Sequence, residues 1–194
     1  MNRIFVFWNG CKKVKSKISL SDIRTTRNTL QMKRLILVRH AKAEQGGYSN
    51  DFARELTDRG KNDARTISSD MKRREIIPDY IITSPAKRAL TTARIFAEET
   101  GFDKSKIVEQ KGLYFDYTTN DFIEMLNEID DKYETVAVFG HNPFIYFMAE
   151  NLCQHFGGDM PTCSTIVIDF DISSWKKVEA RQGKLIIRLY PSQY

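Results

Sequence analysis

The chain has 194 residues, 41% hydrophobic and 28% charged, with a formal net charge of +5, so it can bury a real core in one domain without disulfides or metal. No apolar run approaches the ~20 residues of a membrane helix, and the apolar cluster at residues 4–8 is too short for a secretion signal and lacks a small-residue cleavage site. With neither read in the chain, we expect a cytoplasmic protein; the cysteines, Cys11, Cys153 and Cys163, are odd in number and without CxxC spacing, which argues against a disulfide framework or structural zinc.

The positive charge is unevenly placed. Residues 1–31 hold seven Lys or Arg and one acid, Asp22, whereas the remaining 23 basic and 24 acidic residues leave −1. The body therefore has no global basic signature, and neither nucleic acid nor membrane is an expected partner. Residues 1–31 also lack a sustained helical or strand period, so we expect a basic, flexible N-terminal extension over 1–31 and one domain over 32–194.

From residue 34, strands and helices alternate. Leu35, Ile36, Leu37 and Val38 form a continuous apolar run, as in a strand buried on both faces. Thr57 is placed to cap a helix reaching about Glu75, with Ala64, Ile67 and Met71 on one face; Pro78 ends it. Lys72, Arg73 and Arg74 read as its solvated end, favourable to the helix dipole. Tyr80, Ile81 and Ile82 predict the next strand. Ser84 followed by Pro85 predicts a capped helix with Leu90, Ala93 and Ala97 inward and Gly101 at its end.

A short strand is expected near residues 107–109. A helix follows, carrying Phe122, Met125, Leu126 and Ile129. Residues 135–139 predict another buried strand, broken by Gly140. Pro143 opens a helix whose stripe of Phe144, Phe147, Met148 and Leu152 reads as core. Two strands, over 166–170 and 185–190, close the chain. The alternation predicts an α/β domain with a mostly parallel sheet.

In such sheets ligands bind beyond the carboxyl ends of the strands. After the first strand stand Arg39 and His40. After the second come Thr83, Ser84 and Pro85, with Arg88 in the first helical turn. After the later buried strand come Gly140, His141, Asn142 and Pro143. Two arginines and two histidines thus meet at one sheet edge. Guanidinium forks match phosphate oxygens, a helix N-terminus adds N–H donors, and a histidine can act as a covalent nucleophile. His155 has no such context and reads as a surface or structural residue. A third metal ligand at helpful spacing is missing from the sequence, so no metal is expected.

These motifs resemble a known family. The run from Leu35 to Lys42, the segment Leu56-Thr57-Asp58-Arg59-Gly60, the segment Thr83 to Ala89, and Val138-Phe139-Gly140-His141-Asn142-Pro143 are similar to the signatures of the histidine phosphatase superfamily in its small SixA-type branch. The likeness extends from Lys33 to Pro191, including Trp175 and Gly183. It implies a three-layer α/β/α sandwich of the phosphoglycerate mutase-like kind, without cofactor. It also implies His40 as nucleophile, with Arg39, Arg88 and His141 holding the phosphoryl oxygens and Asn142 beside them. Many members carry a carboxylate proton donor after the third strand, often in Leu-Tyr-Glu. Here Leu113-Tyr114 is followed by Phe115, and Asp116 comes one residue later. Asp116 and Glu44, in the loop after His40, are the candidate donors.

Phosphohistidine in a protein is the expected substrate. Mutase relatives have longer insertions that close over small substrates, whereas this body has short connections and an open site. An imidazole leaving group, with pKa ~6.5, also needs less acid assistance than an alkoxide. A small-molecule phosphomonoesterase and a non-catalytic phosphate-binding module are the alternatives.

Overall fold

The computed structural model describes residues 32–45, 50–114 and 117–194. The expected extension over 1–31 lies outside the described residues, as does Asp116. The strands are β1 (Lys33–Arg39), β2 (Tyr80–Thr83), β3 (Val108–Glu109), β4 (Thr135–Gly140), β5 (Thr165–Phe170) and β6 (Lys184–Leu189). The helices are α1 (Asp58–Arg73), α2 (Lys87–Thr100), α3 (Thr119–Asn127) and α4 (Phe144–Leu152).

The strands form one sheet in the order β3-β2-β4-β1-β5-β6. β1, β2, β3 and β4 pair in parallel, while β5 runs antiparallel to both β1 and β6. The continuous apolar run of β1 is explained by its central place. Leu35 and Leu37 point into a core with α3 and α4, whereas Ile36 and Val38 point into a second core with α1 and α2. All four side chains are fully buried, each worth about 1.5–3 kcal/mol against exposure. Helices on both faces make the three-layer α/β/α sandwich that was expected, with a sheet that is parallel except at β5.

Most elements fall where the pattern puts them. Thr57 caps α1 by accepting from the Gly60 N–H, and Gly101 ends α2 in the left-handed region at φ 83°. Three details differ from the sequence reading. Helix α2 starts at Lys87, and Ala86 at its N-cap makes no side-chain cap, so Ser84 and Pro85 precede the helix rather than open it. Leu90 is only half-buried, and Ala89, Ala93, Phe96 and Ala97 form the inner face instead. On α4, Phe147 is 47% exposed, so the core stripe runs through Ile145, Met148 and Leu152.

The basic end of α1 is also more than a solvated face. Arg73 Nη2 and Arg74 Nε donate to the carboxylate of buried Asp70, at 2.8 and 2.6 Å, and the Tyr194 hydroxyl donates to it too. Among the described residues, no helix is long and apolar enough to cross a membrane.

Candidate active site

Strand register places the site. Arg39 on β1 pairs with Gly140 on β4, and Phe139 on β4 pairs with Thr83 on β2. The next residue of each strand is therefore His40, His141 or Ser84, in a row along the carboxyl edge. Two backbone bonds continue the ladder into that row. The His40 N–H donates to Gly140 O and the Ser84 N–H to Phe139 O, both at 2.9 Å.

His40 is 9% exposed, and its Nδ1 lies 2.8 Å from the carbonyl oxygen of Ala41. A carbonyl only accepts, so Nδ1 carries the proton and Nε2 keeps its lone pair. Burial, and then the charges of Arg88, Arg39 and Arg54, pull the His40 pKa down to about 4 against the pull of the Ala41 bond. The ring is neutral at pH 7, in the tautomer a nucleophile at Nε2 requires.

His141 stands beside it, with ring centroids 5.1 Å apart. Its Nε2 is 2.9 Å from Ser84 Oγ, and the Tyr114 ring meets it edge-on at 5.3 Å. Burial first, then His40 and Arg88, lower its pKa to about 3.

Both arginines are held at their ends. Arg39 Nη1 donates to the Met160 carbonyl at 2.8 Å, and Asn142 Nδ2 donates to the same oxygen at 3.1 Å. Arg88, 6% exposed, gives Nη1 to the Asp51 carbonyl at 2.7 Å and Nη2 to Asp51 Oδ2 at 2.9 Å. That carboxylate also accepts from Arg54 Nη1 and from the Tyr114 hydroxyl, each at 2.8 Å. Arg54 above all, with Tyr114 and Arg88 acting in the same direction, holds the Asp51 carboxyl well below the usual range. Asp51 is thus a fixed anion that orients Arg88, not a proton donor.

Arg39 Nε, Arg88 Nε and His141 Nδ1 are buried without a partner among the described residues. Buried polar atoms are rarely left so in native structures, and with Asn142 Oδ1, an acceptor, four such atoms fall on the residues that the sequence singled out for one anion. The arrangement brings His40, Arg39, Arg88, His141 and Asn142 to one edge. Chemically it offers a neutral nucleophile and two guanidinium groups, Arg88 buried and Arg39 half-buried, to a tetrahedral oxyanion. Among the described residues, no group of three His, Cys, Asp or Glu could hold a metal ion.

The loop after His40 is seated by α1. Thr57 gives both its N–H and its hydroxyl to the Lys42 carbonyl, at 3.0 and 3.2 Å. A Cβ on Gly60 would lie 2.1 Å from that oxygen, which explains why glycine stands there. Glu44 is exposed, and its backbone carbonyl, not its side chain, accepts from Arg54 Nε. Asp51, Arg54, the Met160 carbonyl and the Ser84 contact with His141 escape sequence reading. Asp51 lies 37 residues from Arg88 in a stretch without periodic pattern, and only its nearness to Leu56-Thr57-Asp58-Arg59-Gly60 hinted at it.

Comparison with known proteins agrees with this reading of the fold. Residues 35–114 match the family model of the histidine phosphatase superfamily, branch 1. The protein histidine phosphatase SixA, solved with tungstate, superposes with a TM-score of 0.72 at 18% identity, covering 82% of this chain and 98% of that one. SixA from Agrobacterium tumefaciens gives 0.68 at 25% identity, with the same coverage. A mycobacterial glucosyl-3-phosphoglycerate phosphatase gives 0.58 at 15% identity, covering 80% of this chain and 98% of that one. No curated protein matches the sequence. The resemblance read in the motifs is borne out, and the fold is the phosphoglycerate mutase-like fold of the SixA structures.

Proposed function

We propose that this histidine phosphatase superfamily chain hydrolyses phosphohistidine in a protein, through a phosphoryl group carried on His40. The observation that carries the reading is the hydrogen bond from His40 Nδ1 to the Ala41 carbonyl, which leaves a neutral Nε2 beside buried Arg88 and half-buried Arg39. Nε2 attacks phosphorus and the bond from phosphorus to the leaving nitrogen breaks. The released imidazole takes a proton from solvent or from Asp116 or Glu44. Water then attacks phospho-His40, the P–Nε2 bond breaks, and inorganic phosphate leaves with the imidazole restored. Arg39, Arg88 and His141 hold the phosphoryl oxygens in both steps, with Asn142 at the edge of that set. Their charge and N–H donors meet the in-line transfer where the protein's work is positioning and electrostatics.

The leaving group supports the protein substrate. Among the described residues the hydrogen-bond partners of the two histidines' ring nitrogens are the Ala41 carbonyl and the Ser84 hydroxyl, not a carboxylate, and an imidazole tolerates weak acid assistance better than an alkoxide does. The two buried cysteines, Cys153 and Cys163, are free thiols, in keeping with a cytoplasmic setting. A second reading, phosphomonoester hydrolysis, draws on the glucosyl-3-phosphoglycerate phosphatase that shares the fold.

The deciding experiment offers the enzyme a phosphohistidine protein and a panel of sugar and alkyl phosphomonoesters. The reading expects the highest kcat/KM on phosphohistidine. A small phosphomonoester turned over faster would replace it by the second reading. Phosphate binding without turnover of any substrate would leave a binding module.

A further inference from the structure

We infer that Arg188 is a positioning residue for the oxyanion site, acting through the backbone of residues 157–160. The inference rests on the reading of Arg39 as a phosphoryl-binding arginine. Arg39 Nη1 and Asn142 Nδ2 converge on one acceptor, the Met160 carbonyl. That oxygen belongs to the connection between α4 and β5, outside any strand ladder. The Met160 side chain is buried in the core, which fixes where the residue sits. The direction of its carbonyl depends on the peptide planes on either side.

One side is tied to the site itself. The Cys163 N–H donates to the His40 carbonyl and the Ser164 N–H to the Pro161 carbonyl, both at 3.0 Å. The other side is tied by Arg188. This residue stands on β6 opposite Ile166 of β5, near the catalytic edge. Its Nη1 donates to the Gly157 carbonyl and its Nη2 to the Asp159 carbonyl, the latter at 2.7 Å. The guanidinium also lies over the Phe156 ring, 5.1 Å from its centroid. Gly158, at φ 86°, lets the chain turn between the two carbonyls; a Cβ there would lie 3.1 Å from Nη1.

A planar fork thus clamps the peptide plane that immediately precedes Met160. Lysine, a single point charge, cannot span both carbonyls in that geometry. Freeing the plane lets the Met160 carbonyl turn, and Arg39 and Asn142 lose their common anchor.

The test uses full-length chain and tungstate as the oxyanion probe, measured by calorimetry, with melting temperatures recorded for each variant. Arg188→Lys keeps the charge and removes the fork; Arg188→Ala removes both. A misplacement on the scale of 1 Å costs up to about a hundredfold at a built site. We expect tungstate affinity to fall at least about tenfold in both variants and phosphatase KM to rise with it. Guanidinium ion at non-denaturing concentration should restore part of the affinity of Arg188→Ala, which a merely structural role would not do.

If Arg188→Ala does not fold, Arg188→Lys decides alone. Wild-type tungstate affinity in a folded Arg188→Lys overturns the inference. Wild-type affinity in Arg188→Ala overturns it equally. Wild-type protein that binds no tungstate overturns the oxyanion reading of Arg39, and this inference with it.

Discussion

The two histidines of the candidate site should make the protein lose stability in mildly acidic solution, before its carboxylates titrate. Their pKa values fall from 6.5 to about 4 for His40 and about 3 for His141. In the unfolded chain both protonate as pH drops through 6.5, while in the folded protein both stay neutral to below pH 5. The unfolded state then binds more protons, so stability falls with pH over that window. Between pH 7 and pH 5 the loss is about 2 kcal/mol for each of these histidines and about 4 kcal/mol for the pair. Asp51 and Asp70 have depressed values; their contribution is present above the unfolded carboxylate pKa and is lost only at lower pH, so they do not confuse the window. Urea unfolding of wild type and of His40→Asn/His141→Asn, followed at pH 7, 6 and 5, isolates the effect. The double variant should lack this slope. An equal slope in both proteins, or imidazole NMR signals of His40 and His141 with midpoints near 6.5, would refute the burial argument and with it the neutral nucleophile.

Asp116→Asn should slow hydrolysis of an alkyl phosphomonoester far more than that of phosphohistidine, since a positioned acid contributes about 10²–10⁴-fold where the leaving atom needs a proton. Equal slowing of both would make Asp116 a positioning group, and parallel kinetics of Glu44→Gln would show whether that loop supplies the acid. Gly60→Ala forces a Cβ to 2.1 Å from the Lys42 carbonyl. It should cost about 1–3 kcal/mol in unfolding experiments and lower turnover by moving the loop after His40; unchanged stability would mean the loop gives way freely. A chain starting at Met32 should keep wild-type melting temperature and turnover, and a large fall in either would show that residues 1–31 contribute to fold or catalysis.

Central elements were legible because their sequence leaves few alternatives. Leu35 to Val38 has no polar face, and the structure buries it between two helical layers. Arg39 and Gly140 are the last residues of such strands and pair in register, so parallel pairing alone aligns His40 with His141. What sequence did not reveal was decided by competition between contacts. Ser84 looked like a helix cap, but its hydroxyl faces His141 and the helix begins further on. Phe147 has the spacing of a core residue, yet the packed stripe of α4 passes through Ile145. Asp51 and the Met160 carbonyl enter the site through irregular connections, where neither hydrophobic period nor cap chemistry marks a residue. The polar neighbours that orient Arg39 and Arg88 could be found only once the loops were in place.

The most direct test of the account is the site of phosphorylation during turnover. Active enzyme is mixed with a phosphohistidine protein and quenched in alkali, which spares phosphoramidate bonds. It is then digested and read by mass spectrometry and NMR. The account predicts phosphate on His40, attached at Nε2 because Nδ1 is engaged with the Ala41 carbonyl, and none in His40→Ala, which should also be inactive. Full activity in His40→Ala, or a turning-over wild-type enzyme that never carries phosphate on His40, would contradict it.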